Sequence, residues 1–208
     1  MVELAVFLGN PGKKYSKNRH NAGFLLADIL PYSLSWHKKF KGLYAAIDSE
    51  AGGKIHFLKP ETFMNLSGEP VAETASFFKI KPEAILIVHD ELELPLGTVS
   101  LKFGGGLGGH NGLRSAKSCL GTADFWRIRI GIGRPDSRLP GEGGPPGSGE
   151  GIIGWVLSNF YEEEKLILDD VLSHTGKLLA ETFINDPKEL LKSWAKKKVV
   201  SAKEADII

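Results

Sequence analysis

Apolar positions in this chain follow two spacings. Short runs rich in β-branched, aromatic and other apolar residues, at 2–8, 43–48, 55–58, 84–89, 98–103 and 126–133, predict strands. Between them apolar residues recur every three or four positions (Ala22, Leu25, Leu26, Ile29, Leu30; then Val71, Ala75, Phe78), predicting helices, with others over 111–120, 162–183 and 188–197. Ser67 reads as a helix N-cap, with Pro70 in the first turn. The run 84–89 is continuous, as in a central strand buried on both faces. In 126–133 Trp, Arg, Ile, Arg and Ile alternate, so one face is apolar and the other carries Arg127 and Arg129. Six glycines and four prolines between 134 and 151 predict a mobile loop. Strand–helix alternation gives the fold class: an α/β protein with one twisted, mixed, largely parallel sheet flanked by helices. The expected organisation is one domain over 1–195 with a helical lid region after the 134–151 loop. A basic, poorly ordered tail is expected over 196–208.

Polar residues collect where the predicted strands end. Asn10 follows the first strand, Asn65 the strand at 55–58, Asp90 the strand at 84–89, and Arg134 the strand at 126–133. Open α/β sheets bind ligands at the carboxyl ends of their strands, so these residues share one edge if the strands are parallel neighbours. The stretch 9–23 is the densest of these loops. Asn10-Pro11-Gly12 is a turn signal, with Pro11 fixing φ and Gly12 able to take positive φ, and the loop carries Tyr15, Arg19, His20 and Asn21.

His20 suits a general base, because neutral imidazole accepts a proton near pH 7; on the residues alone it is equally a surface loop histidine. Asp90 can hydrogen-bond such an imidazole and fix its tautomer, or simply cap a turn. Asn10, Asn65 and Asn111 offer amide donors and acceptors for a peptide or an oxyanion. Met64 reads as an apolar wall or as ordinary core.

The stretch Leu-Gly-Asn-Pro-Gly-x-x-Tyr-x-x-x-Arg-His-Asn-x-Gly-Phe, residues 8–24, resembles the opening signature of bacterial-type peptidyl-tRNA hydrolase. The segments 62–68, 89–95, 104–112 and 127–135 resemble further motifs of that family, in the same order. The resemblance implies hydrolysis of the ester between a peptide and the 3′ end of tRNA, by a water nucleophile without metal or cofactor. It implies His20 as base, Asp90 as its orienting partner, and Asn10, Met64, Asn65, His110 and Asn111 as substrate-site residues. Gly108 would let its loop approach the peptide. Tyr15 would lie where the tRNA acceptor end enters, and Lys102 and Arg129 would clamp its terminal phosphate. Asn10 and Asn111 are the expected oxyanion donors. The expected partner is peptidyl-tRNA, met through its acceptor stem and 3′ end by a monomeric cytoplasmic enzyme.

Composition narrows the alternatives. The 208 residues, 42% hydrophobic and 25% charged, suit one well-buried core. Cys119 is the single cysteine, which fits a reducing compartment, and its helical spacing places it in the core. No signal peptide or membrane-spanning run is expected. Net charge is +1, so nucleic-acid binding needs a local patch; Lys13, Lys14, Lys17 and Arg19, with Lys102, Arg114, Lys117, Arg127, Arg129, Arg134 and Arg138, are its candidates. Gly104-x-Gly106-x-x-Gly109 fits a dinucleotide fingerprint, but its acid, Asp124, precedes a strand instead of ending one. There is no Gly-x-Ser-x-Gly elbow, and the six histidines lack metal-ligand spacing. The rival reading is a non-catalytic RNA-binding protein using the same basic face. The loop 134–151 is longer than the family pattern, while Gly-Trp-Val-Leu-Ser at 154–158 resembles the family's segment before its lid helix.

Overall fold

The structure, a computed structural model, describes residues 1–50, 52–135 and 148–199. Its strands are β1 (Leu4–Phe7), β2 (His37–Lys39), β3 (Gly42–Asp48), β4 (Lys54–Pro60), β5 (Ile85–Glu91), β6 (Thr98–Phe103), β7 (Trp126–Gly131) and β8 (Lys197–Lys198). They form one eight-stranded sheet in the order β2-β3-β4-β1-β5-β7-β6-β8. The central four, β4, β1, β5 and β7, are mutually parallel, and the outer strands are antiparallel. The expected mixed sheet is therefore present, parallel in its centre and antiparallel towards both edges.

Every residue of β1 and β5 is buried, because helices cover both faces. On one face α2 (Gly68–Phe78) and α3 (Asn111–Leu120) close over Leu4, Val6, Leu8, Ile85 and Ile87. On the other, α1 (Ala22–Asp28) and α5 (Glu162–Ile184) close over Ala5, Phe7, Leu86 and Val88. The 23-residue α5 buries Ile167, Leu168, Val171, Leu172, Leu178, Leu179 and Phe183 at helical spacing. Thr175 and Thr182, buried among them, donate their hydroxyls to the carbonyls of Val171 and Leu179, both at 2.6 Å, so no polar group is stranded there. Two shorter helices, α4 (Gly149–Val156) and α6 (Pro187–Leu190), complete the described elements.

Four local expectations need correction. Ser67 stands at the N-cap position of α2 as expected, but its side chain does not cap: the hydroxyl is buried without a partner among the described residues, and the Gly68 N–H is capped by Ser115 Oγ of α3 at 2.8 Å. The helix expected over 188–197 stops at Leu190. Trp194 is buried there, and Lys197–Lys198 pairs with β6, covering backbone groups that an edge strand would leave open. The loop expected to run to 151 ends earlier, since α4 begins at Gly149 with the Ser148 hydroxyl accepting from Gly151 N–H. Cys119 faces solvent instead of the core. Of the tail expected to be poorly ordered over 196–208, residues 196–199 are described, with Lys197–Lys198 in β8, and 200–208 lie outside the described residues.

Candidate active site

Because β4, β1, β5 and β7 run parallel and side by side, their carboxyl ends do bring Asn10, the 62–67 turn, Asp90 and Arg134 to one edge. β1 is the switch point of the sheet, since its parallel neighbours β4 and β5 lie on opposite sides of it. The loop leaving β1 carries Gly12 at φ 100°, as the turn requires, and then a 3₁₀ turn, Arg19–Asn21. A Cβ at Gly23 would lie 2.6 Å from the Leu8 carbonyl oxygen and 2.8 Å from that of Val88. Only glycine lets the start of α1 seat directly on β1 and β5, which brings the His20 turn against the end of β5. Asn21 closes the loop: its Oδ1 accepts from Asn10 N–H at 2.9 Å and its Nδ2 donates to the Asn10 carbonyl at 3.0 Å.

At that junction His20 Nδ1 lies 2.9 and 3.0 Å from the two oxygens of Asp90. Asp90 is a carboxylate acceptor, so Nδ1 carries the proton and Nε2 keeps its lone pair. His110 Nε2 reaches Asp90 Oδ1 at 3.0 Å, while its Nδ1 accepts from Gly112 N–H at 3.2 Å, fixing the opposite tautomer on that ring. Asp90 therefore takes two imidazole donors. Burial alone would raise its pKa, but the charges and hydrogen bonds of His20 and His110 hold it far below the usual carboxylate range. For His20, burial is the largest influence and disfavours the imidazolium; the charge and hydrogen bond of Asp90 together outweigh it, leaving the pKa raised above 6.5. His89 differs. Burial, then His110, holds it well below its ordinary value; it is neutral, and its Nδ1–H donates to the Asp90 carbonyl at 2.7 Å.

A cavity of about 250 Å³ opens here, lined by His20, Asp90, Gly108, His110 and Asn111, with Ile152 of α4 among its apolar walls. Asn10 is buried, and its Oδ1 accepts from Met64 N–H at 2.9 Å, so its amide NH₂ is the group left to donate. Met64 belongs to the core beneath α3 and Asn65 is exposed; neither lines the cavity, nor does Asn10, whereas the exposed Asn111 does. Gly108 takes positive φ (59°) beside Glu91. Tyr15 does not line the cavity; it ends a separate 3₁₀ turn, with the Lys14 ammonium over its ring at 5.6 Å.

The antiparallel neighbours β6 and β7 bring Lys102 and Arg129 to one face, since Lys102 pairs with Arg127 and Ser100 with Arg129. Arg129 donates to Ser100 Oγ at 2.7 Å and reaches Glu91 at 3.5 Å. The Lys102 pKa is lowered, first by burial and then by Arg127 and Arg129, which marks a local excess of positive charge. Two other cations were misjudged from sequence. Arg19 is fully buried in an ion pair with Glu164, and Arg127 is buried, donating to the carbonyls of Gly104 and Gly106. Arg134 is paired with Glu93, and Arg138 falls outside the described residues. Lys13, Lys14, Lys17, Arg114 and Lys117 are exposed. The roles of Arg19, Asn21, His89 and Glu164 had no signal in sequence, because each is defined by partners distant in the chain or by the other face of a strand.

His20, Asp90 and His110 are also the one cluster of potential metal ligands found among the described residues. A metal would need a lone pair on His110 Nε2, but that nitrogen carries the proton that faces Asp90, because Nδ1 is the acceptor of Gly112. The donor set is built to hold protons.

The fold and site define an α/β protein with an oriented histidine–carboxylate pair and amide donors at the switch point of its sheet. The profile of the family described as Peptidyl-tRNA hydrolase matches residues 4–202. The chain is 45% identical over 207 residues to the peptidyl-tRNA hydrolase of Treponema pallidum, covering 96% of this chain and 98% of the relative. It is 49% identical to that of Rhodospirillum centenum over 174 residues, covering 82% and 71%. A crystal structure of peptidyl-tRNA hydrolase from Acinetobacter baumannii superposes with a TM-score of 0.81 at 36% identity, covering 96% of this chain and 97% of that one. The chain belongs to the peptidyl-tRNA hydrolase family.

The tautomers are testable. In ¹⁵N spectra neutral His20 is expected to carry its proton on Nδ1 and His110 on Nε2, with His20 titrating above 6.5. A His20 protonated on Nε2 in its neutral form would contradict this geometry.

Proposed function

We propose that this protein hydrolyses the ester joining a peptide to the 3′ end of tRNA, acting as a cytoplasmic monomer and releasing free tRNA and peptide. The observation that carries the reading is the His20–Asp90 pair, whose Nδ1 hydrogen bonds of 2.9 and 3.0 Å leave Nε2 as a free lone pair at the cavity.

In this mechanism His20 Nε2 takes a proton from water as the water oxygen attacks the ester carbonyl carbon. Asp90 stabilises the imidazolium that forms. The amide NH₂ of Asn10, with Asn111, donates to the developing oxyanion, an electrostatic contribution that acts strongly in a buried site. Collapse of the tetrahedral intermediate breaks the bond to the ribose 3′ oxygen, which receives the proton from His20. Gly108 and His110 form the cavity wall at the peptide end, Met64 supports that wall from the core, and Asn65 and Tyr15, outside the cavity lining, meet the substrate beyond it, Tyr15 at the acceptor end of the tRNA. A purely RNA-binding protein would have no need of the Nε2 lone pair that the chain through Asp90 leaves at the cavity.

Purified protein is expected to release free tRNA from N-blocked aminoacyl-tRNA. His20→Ala should lower the single-turnover rate by roughly 10²–10⁴ while leaving fold and tRNA binding intact. Near-normal turnover by folded His20→Ala would remove the base assignment. A wild type that binds tRNA without hydrolysis would establish the RNA-binding alternative.

Lys102 and Arg129 are the proposed clamp on the 5′ phosphate, arginine through paired hydrogen bonds and lysine as a point charge. Replacing either with alanine should weaken binding and reduce its salt dependence by about one unit of slope. The chemical step on bound substrate should survive. If wild type binds substrate equally well without its 5′ phosphate, the clamp does not exist.

A further inference from the structure

Arg19 precedes the proposed base, yet its side chain is fully buried on the other side of the loop from Asn21. Its guanidinium grips Glu164 at the start of α5 with two parallel bonds, Nη1 to Oε1 at 3.0 Å and Nη2 to Oε2 at 2.7 Å. Its Nε donates to Ser158 Oγ at 3.3 Å, and its Cζ lies over the ring of Trp155 of α4, 3.5 Å from the ring centre. The backbone joins as well: Arg19 N–H donates to the Ser158 carbonyl at 2.9 Å, and Asn18 bridges Asn159. Trp155 in turn donates its indole N–H to the Gly133 carbonyl beyond β7 at 2.8 Å. Glu164 is also satisfied by Tyr161 N–H at 2.7 Å.

We propose that Arg19 is a positioning residue for hydrolysis: it ties the turn carrying His20 to the α4–α5 junction and so fixes the His20 ring toward Asp90. A three-residue 3₁₀ turn has little rigidity of its own. His20 is therefore held by its neighbours, with Asn21 pinned to Asn10 on one side and Arg19 pinned to α4 and α5 on the other. A buried ion pair is a poor way to gain stability, because an apolar pair of the same volume does as well. What the bidentate fork adds is direction. The same anchor links His20 to α4, whose Ile152, Ile153 and Val156 line the cavity, so substrate that seats α4 also seats the imidazole. This inference rests on the reading of His20 as the base.

The test compares wild type with Arg19→Lys, which keeps charge but loses the fork and the flat stacking face, and with Trp155→Leu, which loosens the clamp from α4 while leaving the ion pair intact. His20→Ala is run beside them. Three quantities are measured: the saturating single-turnover rate on N-blocked aminoacyl-tRNA, the enzyme concentration giving half that rate, and the ¹⁵N titration of His20. Both loosened variants are expected to lose about tenfold to a hundredfold in rate, with half-saturation within about twofold, as for a misaligned catalytic group. Their His20 titration should move down as the contact with Asp90 loosens. A merely structural role would lower the melting temperature and leave rate and titration of the folded protein unchanged, which would overturn the proposal. A shifted titration with an unchanged rate would overturn it too. If His20→Ala itself stays active, the base assignment fails, and the titration still shows whether Arg19 holds the ring. Should Arg19→Lys not fold, Trp155→Leu decides on the same criteria.

Discussion

A carboxylate buried at the end of β5 has to find donors, and the loops around it are arranged to supply them. Asp90 takes one N–H from His20 and another from His110, and its backbone carbonyl takes a third from His89. An unpaired buried carboxylate costs several kcal/mol, so these donors hold the loop after β1 and the start of α3 in register with β5. The same bonds decide which imidazole nitrogen faces the cavity. Stability and chemistry thus share one constraint here, since the interaction that satisfies Asp90 also prepares His20.

The sheet makes this possible. Parallel strands place successive loops on one edge, and the switch at β1 leaves a crevice there between loops that diverge to opposite sides. Gly23 lets α1 descend close enough to set His20 beside Asp90, and Asn21 fastens the loop back on Asn10. The antiparallel pairing of β6 with β7 contributes a separate region, where Lys102, Arg127 and Arg129 share one face. Arg127 is used internally to hold the 104–106 backbone, which leaves Lys102 and Arg129 nearer the surface. A pocket for a peptide and a cationic face for a polyanion can then lie on one sheet without sharing side chains.

Much of this was legible in the chain. Apolar periodicity located the strands and long helices, and the position of Asn10, Asp90 and Arg134 after strand-like runs located the edge where they meet. Alternation in 126–133 correctly put Arg127 and Arg129 on one face, but it could not say that the carbonyls of the glycine turn would take up Arg127. Arg19 looked like one more loop cation because its partner is 145 residues away, one of three consecutive glutamates at the start of α5. Cys119 was misread because helical spacing fixes an angle about the axis, whereas burial depends on what packs against that face. Residues 188–197 were read as helix, whereas the open edge of β6 pairs with Lys197–Lys198 and the Val199 N–H bonds the Gly97 carbonyl.

The central claim is that Asp90 acts on the reaction only through the imidazole of His20. The most direct measurement is the pH dependence of the single-turnover hydrolysis rate for wild type and Asp90→Asn. The productive form of the base is neutral, so the rate rises with pH through the His20 pKa, which Asp90 raises above 6.5. Without the carboxylate, burial acts on the imidazole unopposed. The account predicts a plateau rate lowered by roughly 10²–10⁴, a rising limb displaced to lower pH, and unchanged substrate affinity. An unmoved limb with an unchanged plateau, or weaker binding with the rate intact, would contradict it.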